Sequence, residues 1–278
     1  MKRTLHQKRV LLTGASSGIG RALSELLAAN GANLVLASRS EDKLIELANE
    51  LQSRYSVKVI PVEADLTIEE DREKLVHTAQ ENLGGLDILV NNAGIASWAH
   101  FSESTEEILR EIMEVNFFAP VELIRQAVPL LTEGEQPAIV NVSSMCGRRA
   151  MPAWSEYSAS KHALCGITEA FRGEMARFDI DVLLILPGLT NTGLHSHLLK
   201  NEGRAKIDFE AGMPPETVAK AIVRAIEKNK TETIVGSDAW WMIWMSKLFP
   251  RFVNRMIANR VRKLYSQEKV QAVGTESV

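Results

Sequence analysis

Short apolar runs rich in β-branched residues alternate with amphipathic stretches from Lys8 to Val235, and this alternation constrains the fold more than any other feature. A strand-like run followed by a helical stretch is a βα unit, and repeated units build a parallel sheet with helices on both faces. Strands are expected at 10–13, 34–37, 57–62, 88–91, 138–142, 181–186 and 233–235. Helices are expected at 19–30, 41–54, 69–82, 105–116, 120–131, 155–178 and 216–228. Gly31, Gly84-Gly85 and Pro214-Pro215 punctuate them where helices stop or start. The expectation is one doubly wound α/β domain of about seven strands, spanning residues 1–237. Apolar residues make up 45% of the 278 and charged ones 24%, enough for a core of that size.

The first strand runs directly into Thr13-Gly14-Ala15-Ser16-Ser17-Gly18-Ile19-Gly20 and then a helix. Glycines here let the backbone approach a pyrophosphate, and the helix N-terminus offers free N–H groups and a positive dipole. Gly14, Ser16, Ser17, Gly18, Ile19 and Gly20 are therefore candidate dinucleotide contacts, the alternative being a plain βα turn. Past the second strand, where an acid would hold the ribose hydroxyls of NAD, the chain has Ser38 and Arg39. An acid would repel the 2′-phosphate of NADP, whereas Arg39 can clamp it and Ser38 can donate to it. NADP is expected over NAD, unless Arg39 is only a solvated loop charge. The spacing Thr-Gly-x-x-x-Gly-Ile-Gly resembles the short-chain dehydrogenase/reductase family, a Rossmann-fold group. That resemblance implies that Asp65 contacts adenine, with Leu66 beside it, although a lone Asp can equally cap the next helix. It also implies that Asn92, Ala93 and Gly94, closing the fourth strand in Asn91-Asn92-Ala93-Gly94, support the cofactor pocket. Members that use NADP often carry a basic residue inside the glycine loop, where this chain has Ser17.

Tyr157 and Lys161 stand four residues apart, on one face of a helix. A free phenol titrates near 10, and moving it toward 7 requires roughly 4 kcal/mol of preference for phenolate. A neighbouring ammonium in a water-poor pocket can supply that preference, making Tyr157 a general base, or a general acid in the reverse direction. Ile139-Val140-Asn141-Val142-Ser143-Ser144 reads as a buried strand ending in two hydroxyls. By register with the family pattern, Ser144, with Ser143 as second choice, polarises the substrate oxygen. The resemblance gives Asn116 a water-holding place in a proton relay with Lys161. It further implies that Pro187, Gly188, Thr190 and Thr192 fix a carboxamide, as in Pro-Gly-x-x-x-Thr. Residues 190–213, polar and aperiodic after a strand end, are expected to form a lid over substrate.

The expected reaction is interconversion of a carbonyl and a secondary alcohol with NADP(H). Trp98, Met145, Met151 and Trp154 point to an apolar, lipid-like or aromatic substrate if they line the pocket. The rival readings are an NADPH-binding sensor with an idle site and a non-redox lyase or epimerase on the same scaffold. No metal is expected, because His6, His77, His100, His162, His195 and His197 form no ligand set by spacing. A net charge of −3 argues against nucleic acid as a partner. Cys146 and Cys165 are expected to be free thiols in a reducing compartment. The basic start of the chain lacks a signal-like apolar stretch, so a cytoplasmic location is expected. The family resemblance implies a homodimer or homotetramer.

Residues 238–278 differ from the rest. Within 240–264, apolar residues recur at helical spacing, interleaved with Lys247, Arg251, Arg255, Arg260, Arg262 and Lys263, and no acid stands between Asp238 and Glu268. Such a basic, indole-bearing segment suits the headgroup layer of an anionic membrane, as a peripheral attachment. Packing of its apolar face on the domain or on a second subunit is the equal alternative. The tail 267–278 reads as frayed.

Overall fold

Seven strands, β1 (Arg9–Thr13), β2 (Asn33–Ser38), β3 (Val59–Glu63), β4 (Ile88–Asn91), β5 (Ala138–Val142), β6 (Asp181–Pro187) and β7 (Glu232–Val235), form one sheet. The sheet runs in the order β3-β2-β1-β4-β5-β6-β7, and every neighbouring pair is parallel. The computed structural model describes residues 3–205 and 207–275, without the side chains of 195, 196 and 267–275. The His195 side chain and the side chains of the tail therefore lie outside the described residues.

The strand residues are apolar on both faces because both faces are covered. Val10, Leu12, Leu34, Leu36 and Val90 pack on one side with helices α1 (Gly18–Ala29), α2 (Glu41–Arg54) and α7 (Pro215–Lys228). Leu11, Val35, Leu89 and Ile139 pack on the other with α3 (Glu69–Thr78), α5 (Ala119–Thr132) and the end of α6 (Ser155–Met175). This is the expected doubly wound α/β architecture. The chain leaves β1 toward β2 and β3, then crosses back to β4 on the other side of β1. The crevice at the carboxyl ends of β1 and β4 is thus a topological switch point, where open α/β sheets take ligands.

Several boundaries depart from the expected ones for identifiable reasons. β3 starts at Val59, because Val57 is still held in a turn, its N–H donating to the Tyr55 carbonyl at 2.8 Å. The two helices expected around Asn116 are one run, α4 (Glu106–Met113) joining α5 through a π turn at Glu114–Phe118. Pro120, which has no N–H to donate, follows the π turn within this continuous run. α3 likewise passes into a π turn at Ala79–Leu83, and α6 tightens to a 3-10 turn at Ala176–Phe178.

The C-terminal segment is two helices, α8 (Ser237–Leu248) and α9 (Pro250–Thr275), split at Phe249-Pro250. α9 continues to Thr275, past the start of the expected fraying. Ala239, Ile243 and Val253 are buried, and Ile243 joins Cys165, Leu184 and Leu186 in a small third core. No helix among the described residues is long and apolar enough to cross a membrane.

At the end of the sheet away from the crevice, Asp87, just before β4, ties the start of β1 to the turn that leads into β5. Its carboxylate accepts from the Arg9 N–H at 2.8 Å, from the Arg9 guanidinium at 2.6 and 3.0 Å, and from the Glu135 N–H at 2.7 Å. Burial pushes the Asp87 carboxyl up, but these bonds outweigh it and hold the group below the usual carboxylate range. A depressed acid contributes stability that is complete above its unfolded value and fades as pH falls through its folded value. Asp87→Asn is therefore expected to cost on the order of 2 kcal/mol at neutral pH. Denaturant unfolding across the acid range should show a flatter acid limb in the variant than in the parent. An unchanged midpoint at neutral pH would contradict this role.

Candidate active site

The glycine turn is built around a close approach of two chain segments. Gly14 has φ +67°, and a Cβ there would lie 2.8 Å from the Ala93 Cα. A Cβ on Gly20 would stand 2.0 Å from the Gly14 carbonyl oxygen, so neither position tolerates a side chain. Thr13, which the sequence reading passed over, sews the two strand ends together. Its hydroxyl accepts from the N–H groups of Asn92 at 3.0 Å and Ala93 at 3.1 Å. The Asn92 amide returns to the Thr13 and Gly14 carbonyls at 3.0 and 3.2 Å. A threonine ending a strand before the glycines was the only available signal, and its partners lie 79 and 80 residues on.

Helix α1 begins just beyond, with Ser17 exposed at its N-cap and making no side-chain cap bond. Its first turn holds no acid, so its N–H groups and dipole face the crevice uncompensated. Gly18 brings Thr192 close, as a Cβ there would meet the Thr192 Cβ at 3.0 Å. That contact closes the loop after β6 onto the glycine turn. In that loop the Gly188 N–H donates to the Val235 carbonyl at 2.8 Å, and the Thr190 hydroxyl donates to the Gly188 carbonyl at 3.0 Å.

At the end of β2, Arg39 is exposed, and it makes no ion pair among the described residues. The Ser38 hydroxyl is occupied locally, accepting from the Ser40 N–H at 3.1 Å. The Asp65 carboxylate accepts from the Thr67 N–H at 2.9 Å and hydroxyl at 2.8 Å. Burial would raise the Asp65 carboxyl, but those two bonds and the Arg39 guanidinium hold it below the usual range. Asp65 therefore organises its own turn, and the Leu66 carbonyl is held by Arg72 at 2.6 Å.

The titratable pair sits on the opposite side of the crevice, on α6. Lys161 is 3% exposed, and its Nζ donates to the Val142 carbonyl at the end of β5 at 3.1 Å. It lies 5.8 Å from the centre of the Tyr157 ring. Burial pushes the ammonium down to about 8, and the neighbouring Cys165 and Cys146 thiols only partly oppose this. Burial also pushes the Tyr157 phenol up, with the Ser144 side chain pulling the other way. Both thiols are free, and burial raises both.

The two serines differ in what occupies them. The Ser143 hydroxyl donates to the Lys161 carbonyl at 3.1 Å and lies 3.3 Å from the Cys165 sulfur. The Ser144 hydroxyl accepts from the Cys146 N–H at 3.1 Å, which leaves its proton for another acceptor. Asn116, fully buried in the π turn, is committed at both ends. Its oxygen accepts from the Ile95 N–H at 2.9 Å, and its nitrogen donates to the Ile95 carbonyl at 2.9 Å and the Ser160 hydroxyl at 3.0 Å. Behind it runs a second chain that sequence reasoning missed. Asn91 donates to Asn141 at 2.9 Å, and Asn141 to Thr168 at 2.9 Å, with all three buried. Polar residues inside otherwise apolar strands were the available signal.

Above Tyr157 lies a group of rings. Trp154 meets Tyr157 edge-on at 5.7 Å, Trp98 stacks on Trp154 at 6.4 Å, and Phe209 meets Trp98 at 5.8 Å. Met145 is turned instead toward the core of Cys165, Leu184 and Ile243. Part of the segment expected as a lid pairs with the loop after β4. The Trp98 N–H donates to the Lys200 carbonyl and the Glu202 N–H to the Trp98 carbonyl, each at 2.8 Å. No cluster of three metal-ligating side chains occurs among the described residues.

A family profile described as short chain dehydrogenase matches residues 8–203. The chain is 35% identical over 257 residues to an uncharacterized oxidoreductase, YxnA, of Bacillus subtilis, covering 91% of this chain and 72% of that protein. It shares its fold with a short chain dehydrogenase/reductase from Burkholderia phymatum, solved in complex with NAD, at a TM-score of 0.81 and 24% identity over 88% of this chain and 94% of that one. A short-chain dehydrogenase from Sphingobium yanoikuyae, in complex with NADPH, superposes with a TM-score of 0.73 at 29% identity, covering 84% and 91% of the two chains. With the profile spanning well over half its length, the chain belongs to the short chain dehydrogenase/reductase family and is an oxidoreductase acting on CH–OH groups.

Proposed function

We propose that this protein uses NADP(H) to interconvert a ketone or aldehyde and the corresponding alcohol on an apolar substrate, with Tyr157 handling the proton. The observation that carries this reading is the burial of Lys161, with no carboxylate acting on it, one helical turn from Tyr157. A buried ammonium lacking a counter-ion favours a new anion beside it; burial raises the neighbouring Cys146 and Cys165 thiols, and the Tyr157 phenolate is the anion the reaction would form. The bound dinucleotide supplies the hydride acceptor or donor. Gly14, Ser16, Gly18, Ile19 and Gly20 would hold its phosphates at the head of α1, with Asn92 and Ala93 flooring the pocket and Thr190 and Thr192 closing it. In alcohol oxidation Tyr157 takes the hydroxyl proton, Ser144 donates a hydrogen bond to the developing carbonyl oxygen, and Lys161 keeps the phenolate ionised. In reduction the proton moves from Tyr157 to the same oxygen. Because the Asn116 amide is occupied by Ile95 and Ser160, its contribution is to position these groups, and the relay implied by the resemblance would pass beside that amide.

NADP is favoured over NAD by Arg39, an exposed cation at the end of β2 in the place where NAD-binding chains carry an acid. Solved relatives carry either cofactor, NAD in the Burkholderia phymatum protein and NADPH in the Sphingobium one, so the choice rests on Arg39. Trp98, Trp154 and Phe209 around Tyr157 favour an apolar substrate, and the segment 190–213, which bears Phe209, would act as its cover.

Tyr157→Phe should lower turnover of NADPH with a panel of ketones and aldehydes by at least about 100-fold. Binding of NADPH, followed by its fluorescence, should be unchanged. Retained turnover would remove Tyr157 as proton donor, and tight NADPH binding by the parent protein with no carbonyl reduced would favour the sensor reading. Arg39→Glu should raise the KM for NADPH by about 10- to 100-fold, the loss of one charge-assisted phosphate contact. The KM for NADH should hold or fall, and an equal effect on both cofactors would show that Arg39 does not read the 2′-phosphate.

A further inference from the structure

Helices α8 and α9 settle part of their apolar surface on the domain and leave the rest in water. Ala239, Ile243 and Val253 are buried. Farther along, Arg149 donates to Asn254 at 2.8 Å, and the Tyr265 ring meets His100 at 5.2 Å. The pair is thus fixed to the domain, and what it turns outward is a defined surface. Trp240, Trp241, Trp244, Leu248, Phe252 and Met256 are between 42 and 64% exposed. Trp240 meets Trp241 at 5.1 Å and Trp244 at 5.9 Å, and Leu248 lies one turn past Trp244 on α8, while Phe252 and Met256, four apart, lie in the first two turns of α9. Large apolar side chains scattered singly on a surface need no explanation, but three exposed indoles in mutual contact with further exposed apolar residues on the same pair of helices mark a contact.

Lys247, Arg251 and Arg255 each stand one position before Leu248, Phe252 and Met256, so cations flank the exposed apolar residues on both helices. The Lys247 ammonium lies 5.5 Å from the Trp244 ring centre. No carboxylate pairs with these three cations among the described residues, and the sequence holds no acid from Ala239 to Lys263. The partner must accept indole and phenyl rings and bring its own negative charge. A second copy of the chain meeting this face about a two-fold axis would set cation row against cation row. Indoles are instead the residues of the membrane–water boundary, and a cation row beside them matches lipid phosphate and carboxylate.

We propose that the outer face of α8 and the first half of α9 seats the protein on an anionic lipid bilayer. Trp240, Trp241, Trp244, Leu248 and Phe252 enter the boundary between headgroups and acyl chains, and Lys247, Arg251 and Arg255 rest on the headgroups. The association is peripheral, since no helix among the described residues is long and apolar enough to span the bilayer. It does not rest on the catalytic reading.

The test is co-sedimentation of the full chain with vesicles of phosphatidylcholine alone and of phosphatidylcholine mixed with phosphatidylserine. The protein should sediment with the anionic vesicles, its indole emission should shift to the blue, and added salt should release it. Trp241→Ser/Leu248→Ser/Phe252→Ser and Lys247→Glu/Arg251→Glu/Arg255→Glu should each lower the partition coefficient at least about ten-fold. Salt release of the unaltered chain serves as the readout should either triple variant fail to fold. Failure of the unaltered protein to bind anionic vesicles, or equal binding by folded variants, overturns the proposal. A sedimentation mass that falls from dimer to monomer in the apolar variant, with no vesicle binding by the parent, would assign the face to a second copy.

Discussion

The ammonium of Lys161 sits in a place where a charge is costly to keep. It is almost wholly removed from water, its one hydrogen-bond acceptor among the described residues is the Val142 carbonyl, and the groups opposing its neutralisation are two thiols. A buried cation in such surroundings either gives up its proton or acquires an anion. In the proposed mechanism Tyr157, one turn earlier on α6, becomes that anion, and its own burial resists ionisation. Each group is therefore costly in its charged state alone and cheaper when both are charged. In the proposed mechanism this mutual dependence couples the pair, so that the phenol gives up its proton only with the ammonium beside it.

The rest of the architecture holds that pair against the crevice. Gly94 leaves the space that the site needs, since a Cβ there would stand 3.1 Å from the Asn116 oxygen and 3.4 Å from Lys161 Nζ. The π turn at Glu114–Phe118 carries Asn116 inward, where it grips Ile95 on one side and Ser160 on the other. Ser160 in turn donates to the Tyr157 carbonyl at 2.8 Å, so the helix bearing the pair is fixed to the strand end that floors the pocket. Thr13 does the corresponding work across the switch point, holding the glycine turn against Asn92 and Ala93.

What could be read from the sequence was what local spacing encodes. The strands are visible because both-face burial makes them continuous apolar runs, and the glycine turn because Gly14 and Gly20 stand where no side chain fits. Tyr157 and Lys161 are visible because four residues make one helical turn. The illegible part depends on contacts between distant segments. The π turn around Asn116 carries its amide to Ile95 and Ser160, contacts that no local pattern in Glu114–Phe118 announces. Pairing of Trp98 with Lys200 and Glu202 takes part of an apparently free segment into the structure, though its own residues carry no strand pattern. The C-terminal segment showed one amphipathic face in its periodicity. Which apolar residues of that face met the domain and which met water was settled by the turn at Phe249-Pro250 and the position of the third core.

The direct measure of the central claim is the titration of Lys161 itself in the protein without dinucleotide. Lysine labelled with ¹³C at the ε position, followed by NMR and assigned by loss of one signal in Lys161→Met, reports that proton alone. The account predicts an inflection at about 8 for this lysine. An inflection in the ordinary lysine range, above about 10, would mean that the ammonium is solvated or paired and cannot tune the phenol as described.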